Sequence, residues 1–380
     1  MKRNIYLLIF AIIFASCQNE EIINSSSTEN LLDVNNDKEI IRQLGYSTID
    51  LIDCGEFYLI EGDIALNKNG LREYAKQSNN SQYSDTTIQL RQGTDRFNNG
   101  DFRIISDRIV RNITISTTGV STEWHNATKT AIETINNISG CCVKFNLIPF
   151  TTQPLPNIVV SYKNGVAGNI STIAWTELPT SGGNPARNIY INELKEKSDS
   201  HPYKAKTMLH ELGHSLGLMH THGDDGTDPD RYWDYDNDYK MSKRIPGTPL
   251  IDNQSFMSSF SDDRIYPGFT KYDLIALRFL YPEKKHELKF KNSSSLQVGF
   301  NNSIYLANPI LDVNYTLTID GADLIGSNGA VITGNTGNRP ISNYQEVMFR
   351  VPSNMVGRSV YFYLYMNGDL VETKTVPVSR

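Results

Sequence analysis

The spacing of apolar and polar residues divides the chain into regions that predict different structures. From residue 103 to residue 281, segments of two-residue alternation take turns with segments of helical period, which predicts a mixed α/β domain. The predicted strands span 109–116, 143–148, 158–162, 170–175 and 188–191, and the predicted helices span 122–137, 203–216 and 271–280. From residue 286 onward only two-residue alternation appears, so this part predicts an all-β sandwich of immunoglobulin type.

The run from Val360 to Tyr365 shows this alternation most clearly. One of its faces is expected to be buried, which leaves Tyr361, Tyr363 and Tyr365 on the other face. An exposed row of tyrosines could bind carbohydrate or protein. The alternative is a spacer domain that packs on the preceding α/β domain.

The N-terminus carries the only long apolar run of the sequence. Lys2 and Arg3 precede about eleven apolar residues at 5–15, too few to span ~30 Å of hydrocarbon, so the run predicts a signal peptide. The small residues before Cys17 resemble the lipobox of bacterial lipoproteins, and the alternative is an ordinary secretory signal with an incidental cysteine. We therefore expect a signal peptide over 1–17 that ends at a lipidated Cys17, and a flexible tether over 18–37. The expected location is the bacterial cell envelope, facing the periplasm or the cell surface, with membrane contact through the lipid only.

Charge and cysteine content narrow the function classes. The chain has 42 acidic and 36 basic residues, a net charge of -6, so it offers no basic surface for phosphates and argues against a nucleic-acid partner. The acidic stretch 224–238 has clustered carboxylates of the kind that bind Ca²⁺, and its alternative is a solvated acidic loop. Cys54, Cys141 and Cys142 leave two alternatives, which are one bridge from Cys54 to either of the others, or three buried thiols.

The candidate chemistry lies in one motif of the form HExxHxxGxxH. His210 and His214 are one helical turn apart, so both imidazoles point to one place and can bind zinc. Gly217 can adopt positive φ and turn the chain so that His220 becomes the third ligand. Three imidazoles leave a fourth position for a metal-bound water, and Glu211 is placed to activate it as general base.

Two alternatives to this reading are weaker. A structural zinc site usually fills all four positions with protein ligands, often cysteines, and no cysteine is nearby in the sequence. His222 could replace His220 as a ligand, but it breaks the spacing of the motif and reads better as a surface or outer imidazole.

At these residues the sequence resembles the metzincin zinc endopeptidases, and HELGHSLGLMHTH is most similar to the bacterial dual-action HEIGH metallopeptidases. Met257 resembles the Met-turn of metzincins, although Ser259 stands where some of them have a tyrosine ligand. The resemblance covers about 103–282 and implies a metzincin-like α/β (α+β) catalytic domain over 102–282, with the immunoglobulin-like sandwich over 283–380. It also implies that a peptide substrate pairs antiparallel with an edge strand at 170–175, in which Trp175 is either part of the edge or part of the core.

The region 38–101, a small module and a polar linker, resembles a pro-segment. Gly62 and Asp63 are similar to the FxGD motif of astacin pro-segments, in which the aspartate ligates zinc and displaces the water. The alternatives are a hairpin turn without a switch and a Cys54 switch like that of matrixins.

The sequence thus predicts a monomeric zinc endopeptidase made as a latent zymogen, with Zn²⁺ as cofactor and protein or peptide as substrate. The alternative is an envelope binding or adhesion lipoprotein with a non-catalytic metal domain.

Overall fold

The computed structural model describes most of the chain from residue 36 to residue 379. The described residues are 36–42, 48, 51–60, 62–71, 104–151, 153–163, 172–180, 182–195, 200–221, 244–249, 252–258, 268–291, 296–326, 331–332 and 339–379. Within these ranges, no helix has both the length and the apolar character needed to cross a membrane.

One eight-stranded sheet organises the first part of the chain. In chain order its strands are β1 (Ile52–Asp53), β2 (Phe57–Ile60), β3 (Ile64–Asn67), β4 (Ile113–Ser116), β5 (Phe145–Leu147), β6 (Ile158–Lys163), β7 (Ala174–Glu177) and β8 (Asn188–Asn192). Their order in the sheet is β1-β2-β3-β7-β8-β6-β4-β5. The three strands of the predicted pro-segment therefore continue the sheet of the predicted catalytic domain.

Helices accompany this sheet. They are α1 (residues 36–42), α2 (residues 68–71), α3 (Asp107–Val110), α4 (Thr122–Asn136), α5 (His201–Ser215) and α6 (Lys271–Leu280). The buried positions of α4 include Trp124, Ala127, Ala131 and Ile135, a helical spacing that forms one apolar stripe. This stripe belongs to the same core cluster as α5 and the strands β4, β6 and β8.

The predicted elements are largely confirmed, with two corrections. The expected strand 109–116 is wrong in its first part, because Asp107–Val110 forms a short helix and the strand begins at Ile113. An apolar residue such as Val110 would be buried in a strand and is buried in this helix, so the apolar pattern alone does not distinguish the two elements here.

The second correction concerns the expected edge strand at 170–175. The described strand is Ala174–Glu177, and it is not at an edge, because β3 pairs with it in parallel and β8 pairs with it antiparallel. Strand β3 of the predicted pro-segment is the additional neighbour, with Ile64 opposite Thr176. Trp175 is fully buried, as the core alternative predicts.

The C-terminal part forms two five-stranded sheets. Their strands are β9 (Glu287–Phe290), β10 (Leu296–Gln297), β11 (Asn301–Ala307), β12 (Tyr315–Asp320), β13 (Asp323–Ile325), β14 (Val331–Ile332), β15 (Arg339–Pro340), β16 (Glu346–Arg350), β17 (Ser359–Met366) and β18 (Asp369–Ser379). The sheet orders are β10-β18-β17-β12-β15 and β14-β13-β16-β11-β9, and side chains of both sheets share one core cluster.

The alternation in β17 is confirmed. Its even-numbered side chains from Val360 to Met366 are fully buried, while Tyr361 is 39% exposed. Tyr363 and Tyr365 are half-buried. The immunoglobulin type of this region stays a prediction.

Contacts join the C-terminal part to the rest of the chain. Ile275 on α6 belongs to the C-terminal core cluster. Asp369 at the start of β18 pairs with Arg244 and accepts a hydrogen bond from the backbone N–H of Gly247 at 2.9 Å. A side chain at Gly247 would collide with Met366, so the two parts meet closely here.

The three described cysteines are free thiols, which rules out a bridge to Cys54 in this structure. Cys141 and Cys142 are buried, as one alternative predicts, and Cys54 is partly exposed. Cys17 lies outside the described residues.

Candidate metal centre

Helix α5 carries the first half of the site. Its inward stripe anchors it in the core of the domain and consists of Ala205, Met208, Leu209, Leu212 and Leu216. His210, Glu211 and His214 follow on the same helix and are all buried. The helix therefore fixes these polar side chains in an apolar surrounding.

The chain leaves the helix through a tight turn. Gly217 has φ +94°, which an L side chain rarely adopts, and the N–H of Leu218 donates to the carbonyl of Gly213 at 3.0 Å. This reversal brings His220 back toward the helix, as the sequence predicts.

The three imidazoles meet through their Nε2 atoms. The distances are 3.0 Å from His210 to His220, 3.1 Å from His210 to His214 and 3.2 Å from His214 to His220. A tetrahedral zinc with nitrogen ligands at about 2.0–2.1 Å separates them by about 3.3–3.4 Å. The three nitrogens therefore form one face of a tetrahedron of nearly the size that zinc requires.

Backbone carbonyls set the tautomers of two of these rings. Nδ1 of His210 donates to the carbonyl of Phe256 at 2.8 Å, and Nδ1 of His214 donates to the carbonyl of Leu218 at 2.7 Å. With the proton on Nδ1, the Nε2 lone pair is free to bind a metal. Burial lowers the pKa of His214 to about 4, so this ring is neutral at pH 7.

Asp63, from the predicted pro-segment, adds a fourth candidate ligand atom. Its Oδ1 is 3.0 Å from Nε2 of His220, and its Oδ2 is 3.2 Å from Nε2 of His210. One ligand atom from each of the four residues lies within 4.8 Å of the other three. Burial raises the pKa of Asp63, but His220, His210 and His214 outweigh it and hold that pKa well below its usual range.

Two backbone contacts place this carboxylate. Gly62 has φ +94° and turns the chain between β2 and β3, and its carbonyl accepts a hydrogen bond from Thr172 at 2.6 Å. The N–H of Thr176 on β7 donates to the carbonyl of Asp63 at 3.1 Å. Pairing between β3 and β7 therefore places Asp63 beside the three histidines.

Glu211 lies beside the cluster and is 1% exposed. Among the described residues, its Oε2 has no hydrogen-bond partner. Burial raises the pKa of Glu211 well above its usual value, and the charge of Asp63 raises it further. A buried carboxyl with one unpaired oxygen and a raised pKa is a candidate for proton exchange at this site.

Met257 is buried in the core and packs against helix α5 at Gly213, and its role as a Met-turn stays a prediction. A Cβ at Gly213 would collide with the Met257 sulfur and come within 2.8 Å of the Phe256 ring, so the helix and this turn are in close contact. Met257 also accepts a backbone hydrogen bond from Thr221, next to His220.

Asp273 is a supporting residue that the sequence analysis missed. It is buried on α6, accepts from the N–H of Phe256 at 3.3 Å and from the Ser255 hydroxyl at 2.5 Å, and forms a capping box with Thr270. Since the Phe256 carbonyl orients His210, Asp273 supports the orientation of His210 indirectly, through Phe256. The Thr-x-x-Asp spacing of a capping box was the signal that could have found it.

Some predicted site residues cannot be compared with the structure. His222, Ser259 and the acidic stretch 224–238 lie outside the described residues. The calcium site suggested by the acidic stretch 224–238 therefore stays an expectation from the sequence.

The chemistry of the donor set fits a metal. Three imidazoles turn their Nε2 atoms toward one another, and a carboxylate adds the negative charge that a divalent cation balances. His210, His214, His220 and Asp63 could therefore hold one zinc ion.

Comparisons with known proteins give one family match and several solved structures. A family model described as dual-action HEIGH metallopeptidase matches residues 58–281, a range that includes Asp63 and all three histidines. Among solved structures, one of myroilysin is 21% identical over 45% of this chain and 80% of its own, with a TM-score of 0.32. A second myroilysin structure is 19% identical over 48% of this chain and 95% of its own, also at 0.32. A lipoprotein from Bacteroides thetaiotaomicron is 15% identical over 26% of this chain and 82% of its own, at 0.21. The search of curated proteins finds no match.

Proposed function

Because this chain belongs to the dual-action HEIGH metallopeptidase family, we propose that it is a zinc-dependent endopeptidase of metzincin type, made as a latent zymogen. The observation that carries the proposal is the convergence of three Nε2 atoms within 3.0–3.2 Å of one another. Its substrates are proteins or peptides.

His210, His214 and His220 would hold the zinc in the active enzyme. Zinc bound there would supply Lewis acidity, which lowers the pKa of a water and polarises the substrate carbonyl. The carbonyls of Phe256 and Leu218 keep two of the imidazoles in the orientation this requires.

Glu211 would be the general base. Its carboxylate takes the proton of the water that attacks the peptide carbonyl, then gives a proton to the leaving amine as the C–N bond breaks. Its burial and its position next to His210 support this role. A buried carboxylate with a raised pKa is well matched to a proton that is accepted and then returned.

Asp63 would keep the enzyme latent. Its carboxylate occupies the position that the attacking water needs, within 3.0–3.2 Å of two of the histidines. Strand β3 also pairs with β7, so the pro-segment fills the edge on which a substrate strand would pair. Activation therefore requires removal of the carboxylate and of the strand that carries it.

The remaining parts of the proposal rest on the sequence. A lipid at Cys17 would tie a monomeric enzyme to the cell envelope, and the C-terminal sheets would form an immunoglobulin-like sandwich that supports the catalytic part. Cys17→Ser is expected to move the protein from the membrane fraction to the soluble fraction. Retention in the membrane fraction would contradict the anchor.

The test of the catalytic proposal uses the full-length protein, activated by limited proteolysis within the predicted linker 77–101. Wild type, Glu211→Gln and Glu133→Gln are incubated with a protein substrate and a peptide library, with and without a chelator. Glu133 is an exposed residue of α4 and serves as the matched control. Glu211→Gln is expected to bind zinc but to lose cleavage by about 10²–10⁴-fold.

Full cleavage by Glu211→Gln would contradict the role of Glu211. One bound zinc without cleavage of any peptide by wild type would favour the binding or adhesion function instead.

A further inference from the structure

The pro-segment covers an apolar surface of the catalytic part next to the metal site. One core cluster combines six pro-segment side chains with two from outside it. The pro-segment side chains are Ile40, Ile41, Tyr58, Ile60, Ile64 and Leu71. The two others are Leu178 and Met219, which are 8% and 2% exposed in this latent form.

Both residues lie beside the machinery described above. Met219 directly precedes His220 in the chain. Leu178 follows β7 by one residue, just beyond the pair that Ala65 forms with Glu177. The surface they form is therefore next to the edge on which a substrate strand would pair.

Ile64 shows how this surface is filled in the latent form. It directly follows Asp63, lies opposite Thr176 on β7 and is fully buried in the cluster with Leu178 and Met219. An extended peptide presents alternate side chains to opposite faces of a sheet. A substrate strand that paired with β7 in place of β3, although antiparallel to it, would also turn alternate side chains toward the face where Ile64 now lies.

The opposite face of β7 offers different surroundings. Trp175 belongs to a separate cluster with Phe57 and Ala65, and its ring centroid is 5.8 Å from that of Tyr190. Neighbouring positions of a substrate strand would therefore meet an aliphatic surface on one side and an aromatic one on the other.

We propose that Leu178 and Met219 form an apolar subsite that Ile64 fills in the latent chain and that takes a branched aliphatic side chain of the substrate, next to the cleaved bond, in the active enzyme. This inference rests on the proposed peptidase function. It assigns a role in substrate selection to two residues that are neither metal ligands nor the general base.

The test compares cleavage by full-length protein after proteolysis in the linker 77–101. A peptide library varies the two positions on each side of the cleaved bond, and kcat/KM is measured for wild type, Met219→Glu and Leu178→Glu. Leu194→Glu is the control, because Leu194 is 79% exposed and belongs to neither cluster. Zinc content is measured in parallel, since Met219 is next to His220.

Wild type and Leu194→Glu are expected to prefer Leu or Ile over Lys at one position by at least about 10-fold, since one missing methylene in a hydrophobic pocket already costs roughly 10–200-fold. Met219→Glu and Leu178→Glu are expected to lose that preference, or to reverse it toward Lys, at that position and at no other. Leu178→Ala serves as the test if the Glu variants do not fold, because it puts no charge into the latent form. This variant is expected to shift the preference toward larger side chains.

Unchanged selectivity in the folded variants would overturn the subsite, as would cleavage by wild type without an aliphatic preference. A wild type that binds zinc but cleaves no peptide would overturn the proposed function as well, which separates the two failures.

Discussion

The two halves of the proposed metal site are built by different means. His210 and His214 come from one buried helix, and the turn at Gly217 adds His220 within a few residues. Asp63 comes from the turn before β3, 157 residues before His220, and it reaches the site only because β3 pairs with β7. The first half is therefore fixed by local geometry, whereas the second depends on a long-range pairing that can be undone.

This difference explains how the proposed latency is compatible with a stable metal site. His210 and His214 are oriented by the carbonyls of Phe256 and Leu218, which lie outside the predicted pro-segment, so loss of that segment should leave these two imidazoles in place. The Asp63 carboxylate should leave together with β3.

The largest effect is expected from the helix half. His214→Ala removes a ligand atom that no other described residue can replace, so zinc content should fall from one ion per chain to none. Activity should drop by more than about 10³-fold, because the loss of an outer partner of a ligand already costs 10–100-fold. Metal analysis and peptide cleavage of the activated protein provide the measurement.

His201→Ala is the matched control, since His201 begins the same helix and is exposed. Zinc retained by His214→Ala at wild-type affinity would show that the helix half does not form the site.

Asp273, which supports the helix half through Phe256, predicts a pH effect on stability. Burial raises the pKa of Asp273 to about 6, above the usual value of 3.8 that applies in the unfolded chain. Between these values the folded state binds more protons than the unfolded state, so this group lowers the free energy of unfolding as pH rises from about 4 to about 6. The decrease should reach about 3 kcal/mol at pH 7.

Urea unfolding of wild type and Asp273→Asn, both with chelator, measures this difference at pH 4.5 and pH 7. The stability of wild type relative to the variant should fall between these two pH values. A parallel pH dependence of the two proteins would contradict the assignment.

A smaller effect is expected from packing, which is close at Gly213 in the helix half and open at Gly70 in the predicted pro-segment. Gly213→Ala would drive a methyl group into Met257 and Phe256, and overpacking of this kind costs about 1–3 kcal/mol. Gly70 in α2 of the pro-segment has no atom within 4 Å of its Cβ position, so Gly70→Ala should be neutral or stabilise by up to about 1 kcal/mol. Thermal unfolding of both variants tests this, and equal midpoints would contradict the close packing at Gly213.

The smallest of these effects concerns the pro-segment half. Asp63→Ala in the unprocessed chain should raise basal cleavage about tenfold, a change of about 1.4 kcal/mol, since β3 still covers the edge of β7. Zinc should remain bound by the three histidines. Asp53→Ala, at an exposed site of the same module, and Cys54→Ala should leave basal cleavage unchanged. If Asp63→Ala stays as inactive as wild type, the carboxylate is not what makes the chain latent.

The sequence predicted the helix half well because its information is local. The spacing of His210, His214 and Gly217 within one helix and its turn determines their geometry. The helix expected at 203–216 is observed as His201–Ser215, and the one at 271–280 as Lys271–Leu280. Asp63 was identified as a candidate from a short motif alone.

The missed features depend on contacts between distant segments. No local pattern indicates that Ile64 pairs with Thr176, and so the edge strand expected at 170–175 is instead an inner strand at Ala174–Glu177. Asp273 looks like an ordinary helix cap until the fold places Phe256 against it. Gly213 likewise looks like a neutral position in the motif until Met257 is seen beneath it.

The most direct test of the account is a crystal structure of the unprocessed chain with zinc, with anomalous data collected at the zinc edge. The account predicts one zinc bound by Nε2 of His210, His214 and His220 and by a carboxylate oxygen of Asp63 at about 2.0–2.2 Å. A zinc that carries a water in the fourth position while Asp63 faces solvent would contradict it.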